Sequence, residues 1–331
     1  MRTIVGPSLG ALLLLLHAGP AQATSPRTWV ASNGTNNATC SRATPCQTFD
    51  QAHTATTAGG EINCVDAANY GGVTITKSIS IVCDNTEASI FAATGSIAIN
   101  VMAGATDIVI LKGLDIEGAG SGVVGIDFFT GGALHLHKVK IRGYGFVGVT
   151  LVSGLLFQPT GNSELYVTDS IISDSGGTMS PTAGILIRPR TTGTANAFLN
   201  RVRLENNAVG LLVDGTQTTG VAVNAVVEDS VVTGSGGDGI AATTAAAKAA
   251  VSVVVDASRV VTNFGSGISV NGVAASGAGS AVVHIGKSMI ANNVTGVSAT
   301  GVGALRSFKN NRISGNLTDG TPITAAAGPL Q

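Results

Sequence analysis

The segment Leu165-Tyr166-Val167-Thr168-Asp169-Ser170-Ile171-Ile172 and its counterpart 32 residues on, Ala197-Phe198-Leu199-Asn200-Arg201-Val202-Arg203-Leu204, decide the fold. Each holds two short runs in which outward and inward residues alternate. That period marks strands with one buried face, and the runs are too short for amphipathic helices. A third run opening on glycine follows each, Gly184-Ile185 and Gly210-Leu211. Working outward, the pattern recurs upstream to Val109-Ile110-Leu111 with Leu114-Asp115-Ile116. Downstream it reaches Val283-His284-Ile285 with Ser288-Met289-Ile290 and a degenerate copy at Phe308 and Asn311-Arg312-Ile313. The aliphatic anchors Ile116, Ile141, Ile172, Leu204, Val232, Val260, Ile290 and Ile313 lie 25, 31, 32, 28, 28, 30 and 23 residues apart. Three short strands per repeat predict a coil that stacks on its predecessor, aligning like residues on parallel strands ~4.8 Å apart.

Composition agrees with a solenoid. The 331 residues include 45 Gly but only 9 Phe, 3 Tyr and 1 Trp, as expected where a narrow stacked interior takes small and β-branched side chains and corners take Gly or Asn. At 44% hydrophobic residues the chain is not of the disordered class, and the absence of a Gly-X-Y period excludes collagen. A formal charge of -1 argues against a general electrostatic grip on nucleic acid.

The periodicity, with turn asparagines Asn207, Asn263, Asn293 and Asn316 each three residues after an anchor, resembles the right-handed parallel β-helix of the pectin-lyase-like superfamily. Trp29-Val30-Ala31-Ser32-Asn33-Gly34, Thr48-Phe49-Asp50-Gln51-Ala52 and Gly59-Gly60-Glu61-Ile62 look like the N-terminal cap of secreted bacterial β-helix proteins. The expected organisation is a signal peptide over 1–23, a cap with a short helix and a disulfide loop over 24–60, the β-helix over 61–316, and a tail over 317–331. The asparagine amides are expected to bond from coil to coil.

Residues 1–23 carry the marks of export: Arg2, an apolar run from Ala11 to Ala18, and the small-x-small site Ala21-Gln22-Ala23. No segment reaches the ~20 apolar residues of a membrane span, so no transmembrane segment is expected and the location is extracellular, cell-surface or periplasmic. Cys40, Cys46, Cys64 and Cys83 allow three pairings in an oxidising compartment, of which Cys40–Cys46 and Cys64–Cys83 are favoured.

Strand alternation assigns three outward columns. His135, Tyr166, Phe198, Val226, Val254 and His284, with Ile110 above them, form an apolar row, either a platform for sugar rings, a surface for self-association, or a strip covered by a loop or the N-terminal segment. Lys138, Asp169, Arg201, Asp229, Ala257 and Lys287 alternate in charge, as in an ion ladder. Lys140, Arg203, Arg259 and Arg312, alternating with Ile171, Val231 and Met289, form a basic strip suited to the carboxylates of an acidic polysaccharide.

The resemblance implies chemistry on the outer face of one sheet, walled by long turns. Lyases of this fold use calcium-binding aspartates with a basic proton acceptor, so calcium is the one cofactor left open and no other metal or cofactor is indicated. The Gly-His-Gly and Arg-Ile-Lys strings of the related hydrolases are absent. Asp169 and Asp229 flank Arg201 and Arg203 at ~9.6 Å, two coils apart, which approaches the ~6.5–9.5 Å of an inverting hydrolase. Only Ser153–Ser163 and Ser173–Ala183 are long enough to serve as turns walling a cleft. The leading expectation is an exported, non-catalytic β-helix protein that contacts polysaccharide or another surface component. The alternatives are a lyase or hydrolase using Asp169, Arg201, Arg203 and Asp229, and an adhesive rod assembling through the apolar row.

Overall fold

A computed structural model describes residues 24–321 and 324–325. The export signal expected over 1–23 and the end of the tail over 326–331 lie outside the described residues. All three sheets are parallel. A 12-stranded sheet begins with Ser25–Val30 and Thr56–Cys64 and ends with Thr324–Ala325; a second, 10-stranded, runs from Ala68–Asn69 to Arg312–Ile313; a third, also 10-stranded, runs from Val73–Ile75 to Thr318–Gly320. In each coil the chain visits the sheets in that order, as in Asn162–Thr168, Ile171–Ser173 and Ala183–Ile187, before returning to the first at Thr194–Asn200. The anchors align, Ile116 on Ile141, Ile172 and Leu204, and so on to Ile290 on Ile313. The coil therefore starts and ends outside the expected bounds: strand Thr56–Cys64 crosses the boundary at residue 60, and Thr318–Gly320 extends the third sheet past 316.

The interior is a column of Val, Ile, Leu and Ala at almost zero exposure. Midway along it the rings of Phe128 and Phe157 stack at 4.6 Å, and Tyr144 is buried where Gly118, Gly122 and Gly125 make room: a Cβ at any of them would come within 3.0 Å of its ring. At the N-terminal end Phe49–Ala55 forms the short helix expected over 47–57. Thr48 caps it by accepting from the Gln51 amide, and Phe49 packs on Tyr70 with ring centroids 5.2 Å apart. Both favoured disulfides, Cys40–Cys46 and Cys64–Cys83, are formed.

Two side-chain ladders hold the corners. Asn263 Nδ2 donates to Asn293 Oδ1 at 2.9 Å and Asn293 Nδ2 to Asn316 Oδ1 at 3.0 Å, as the turn asparagines predicted. The other corner, between the first and second sheets, carries a serine ladder. Ser230, Ser258 and Ser288 each donate to the carbonyl two residues back, and each accepts an amide from the preceding coil. The residue before each serine, including Asp169, Asp229, Ala257 and Lys287, takes a left-handed backbone with φ from 46° to 51°. The charged column read as part of a strand is thus a corner, where one left-handed residue turns the chain between sheets and its serine satisfies the carbonyl that the turn exposes.

Candidate functional site

The basic strip lies in register on the outer face of the second sheet: Lys140 pairs with Ile171, then Arg203, Val231, Arg259, Met289 and Arg312 follow in successive coils. Lys140, Arg203, Arg259 and Arg312 are all exposed. Their electrostatic settings differ. Arg203 Nε donates to Glu205 Oε1 at 2.7 Å on its own strand. Among the described residues Lys140, Arg259 and Arg312 make no ion pair.

Lys140 belongs to a groove of about 550 Å³ across the first coils, lined by Asp84, Glu87, Asp115, Glu117, Lys138 and Arg142 among others. Most of this charge is internally matched. Arg142 reaches Asp115 at 3.2 Å and Glu117 at 2.7 Å, and Lys112 pairs with Asp84. The calcium chemistry implied by the resemblance needs clustered free carboxylates, and Asp84, Asp115 and Glu117 are engaged by cations. Among the described residues no three His, Cys, Asp or Glu side chains are grouped to hold a metal.

At the corner Arg201 grips Asp169 with two parallel bonds, Nε to Oδ1 at 2.6 Å and Nη2 to Oδ2 at 2.9 Å. These bonds hold the Asp169 carboxyl below the usual carboxylate range. Asp229 makes no ion pair among the described residues, so the ladder closes on one side of Arg201 only. The four residues Asp169, Arg201, Arg203 and Asp229 do share one stretch of surface. There an Asp169 carboxyl held below its usual range by Arg201 suits a charge ladder better than a proton donor.

The apolar row is also in register, His135 beside Tyr166 with rings stacked at 4.5 Å, then Phe198, Val226, Val254 and His284. Each member is half-buried. The N-terminal strand does not lie over it: Arg27 pairs edge-on with Glu61 and extends the sheet instead.

Two features escaped the sequence reading. On the outer face of the third sheet Asp127 is buried, which raises its carboxyl pKa against the opposing hydrogen bond from Gln158 Nε2 at 2.9 Å. Arg188 and Asp214 pair nearby at 2.7 Å. A charge within the apolar run Gly125-Ile126-Asp127-Phe128 was the available signal. Register puts Asp127 opposite Leu156, Leu186 and Leu212 in turn, so Asp214 lies three coils away, ~14 Å along the stack and too far to share a glycosidic bond. Nor does Ser153–Ser163 form a wall, because Ser153–Phe157 is a fully buried strand of that sheet. The Leu151 amide donates to the Pro181 carbonyl at 3.0 Å, and Leu151 packs against the small apolar cluster of Val124, Leu156, Ala183 and Leu186.

The second feature is charge distribution. Residues 257–331 hold five basic side chains, Arg259, Lys287, Arg306, Lys309 and Arg312, against one acid, Asp319, whereas residues 1–256 hold 13 basic and 18 acidic. Asp319 accepts from Asn316 Nδ2, so it does not answer the arginines. Counting charge coil by coil, and not over the whole chain, would have exposed this asymmetry.

No protein-family model matches the chain, and no curated protein matches it. The solved structure of pectate lyase Pel9A is similar, with a TM-score of 0.51 and 13% sequence identity over 93% of this chain and 83% of that one. At that identity the likeness shows the fold alone, a parallel β-helix of three sheets.

Proposed function

We propose that this chain is an exported β-helix protein that contacts acidic polysaccharide along the outer face of its second sheet without cleaving it. The observation that carries the reading is the pair Arg259 and Arg312, exposed, two coils apart in one column, and without a carboxylate partner among the described residues. Lys309 precedes Arg312 by three residues. An arginine with free donors offers a carboxylate two parallel hydrogen bonds, and a slightly acidic protein gains little by leaving such a patch uncompensated. The N-terminal export pattern and the two disulfides support an oxidising destination. No helix among the described residues is long and apolar enough to cross a membrane.

The test is retention on an immobilised acidic glycan at low salt, with soluble products assayed alongside. Retention is expected to fall at least tenfold in Arg259→Ala plus Arg312→Ala, and to vanish near 1 M salt, where charges are screened within ~3 Å. Retention surviving the double substitution removes the strip from the reading. Unsaturated or reducing products that disappear in Asp229→Asn would put a lyase or hydrolase in its place.

A further inference from the structure

Side by side, the corner column and the strand column of the second sheet carry a period of two coils. Lys138 with Lys140, Arg201 with Arg203, Arg259, and Arg312 occupy alternate coils; Arg201 and Arg203 are engaged by Asp169 and Glu205, and Lys140, Arg259 and Arg312 are the members without an ion pair among the described residues. The coils between them present Asp169 with Ile171, Asp229 with Val231, and Lys287 with Met289. In the last of these, Asp256 lies 4.0 Å from Lys287 and offsets it. No intervening coil therefore offers an unanswered cation, and one offers a carboxylate without an ion pair, Asp229, Asp169 being held by Arg201.

Coils ~4.8 Å apart put the cationic ones ~9.6 Å apart. A sugar unit in an extended polysaccharide advances by about one coil, so a chain lying along the strip would meet cations at every second unit. The units between would rest on Ile171, Val231 and Met289, which are half-buried aliphatic side chains suited to the apolar face of an uncharged ring. An anionic group on those units would meet the unpaired Asp229, or aliphatic side chains alone, and lose hydration without gaining a partner.

We infer that the strip is matched to an acidic polysaccharide with one anionic group per disaccharide, and that the intervening coils select against a polymer charged at every unit. This rests on the polysaccharide-contact reading above and narrows its ligand.

The experiment compares three probes by affinity electrophoresis of the full chain at low salt: hyaluronate, with one carboxylate per disaccharide; polygalacturonate, with one per unit; and uncharged dextran. At equal carboxylate concentration hyaluronate is expected to retard the protein at least fivefold more strongly than polygalacturonate. Val231→Lys, which places a cation on an intervening coil, is expected to raise polygalacturonate binding at least threefold while changing hyaluronate binding less than twofold. Asp229→Asn serves if that variant fails to fold, since asparagine accepts the left-handed corner, and is expected to move the ratio the same way. Equal or tighter binding of polygalacturonate, or a ratio unmoved by both substitutions, overturns the inference while leaving polysaccharide contact standing. Neither anionic polymer exceeding dextran defeats both.

Discussion

Between Asp84 and Arg142 three of the acids around the solenoid's second face are answered by cations, Asp115 and Glu117 by Arg142 and Asp84 by Lys112. From Ala257 onward the same face carries cations with almost no acids. The two ends also differ in how they are held. The first coils are stapled by Cys64–Cys83 and closed by the helix Phe49–Ala55, while the last depend on asparagine and serine ladders. The contrast separates roles. Charges matched within the protein contribute only ~0–1 kcal/mol each when exposed, whereas unmatched ones remain available to a partner. A solenoid's stability is close to a sum over neighbouring coils, so damage at one end should stay near that end.

The largest expected effect tests that locality at the stapled end. Phe49→Ala removes a fully buried ring against Tyr70 and should cost about 3–5 kcal/mol of stability in urea unfolding. Amide exchange should accelerate over residues 49–91 and leave 258–316 protected; uniform acceleration would mean that the two ends form one cooperative unit. At the other end Asn293→Ala deprives Asn263 of the acceptor for both its backbone and side-chain amides. Two buried donors are then unmet, at about 2–3 kcal/mol in total, and exchange should accelerate over 258–316 only.

The stack was legible because an anchor such as Val260 is fixed by its immediate neighbours, alternation on one side and Asn263 three residues later on the other. The favoured cysteine pairings were legible because all four sit in the first coils. The serine ladder was harder to see: Ser230, Ser258 and Ser288 matter through the carbonyl that a left-handed residue turns outward, and φ is not written in the residue type when Asp, Ala and Lys all occupy that corner. Asp127 was missed because periodicity treats a lone polar residue as an outward, solvated one, whereas it is buried and bonded to Gln158. The candidate strip was legible as positions but not as partners. That Glu205 takes Arg203 while Arg259 and Arg312 remain unpaired depends on rotamers and on the coil above.

The smallest effect separates the ends by pH. His53 is a buried residue of the capping helix, and its Nε2 accepts from the Thr76 amide at 3.3 Å, so that nitrogen must be unprotonated in the fold. Burial first, then nearby Lys77, lower its pKa to about 4, with Asp50 opposing. Between that value and the ~6.5 of an unfolded histidine, the unfolded chain binds the extra proton. Stability is therefore full above the unfolded value and is lost as pH falls through the window, by about 2 kcal/mol once contact with water is discounted. The urea midpoint should drop between pH 7 and 4.5, with accelerated exchange over 49–91. In His53→Gln, which keeps an acceptor for Thr76, most of that drop should disappear, leaving the share of His135 and His284, both also lowered by burial. An unchanged pH dependence in His53→Gln, or acid-induced opening that begins at the C-terminal coils, would place the titrating weakness at the ladder end instead of the stapled one.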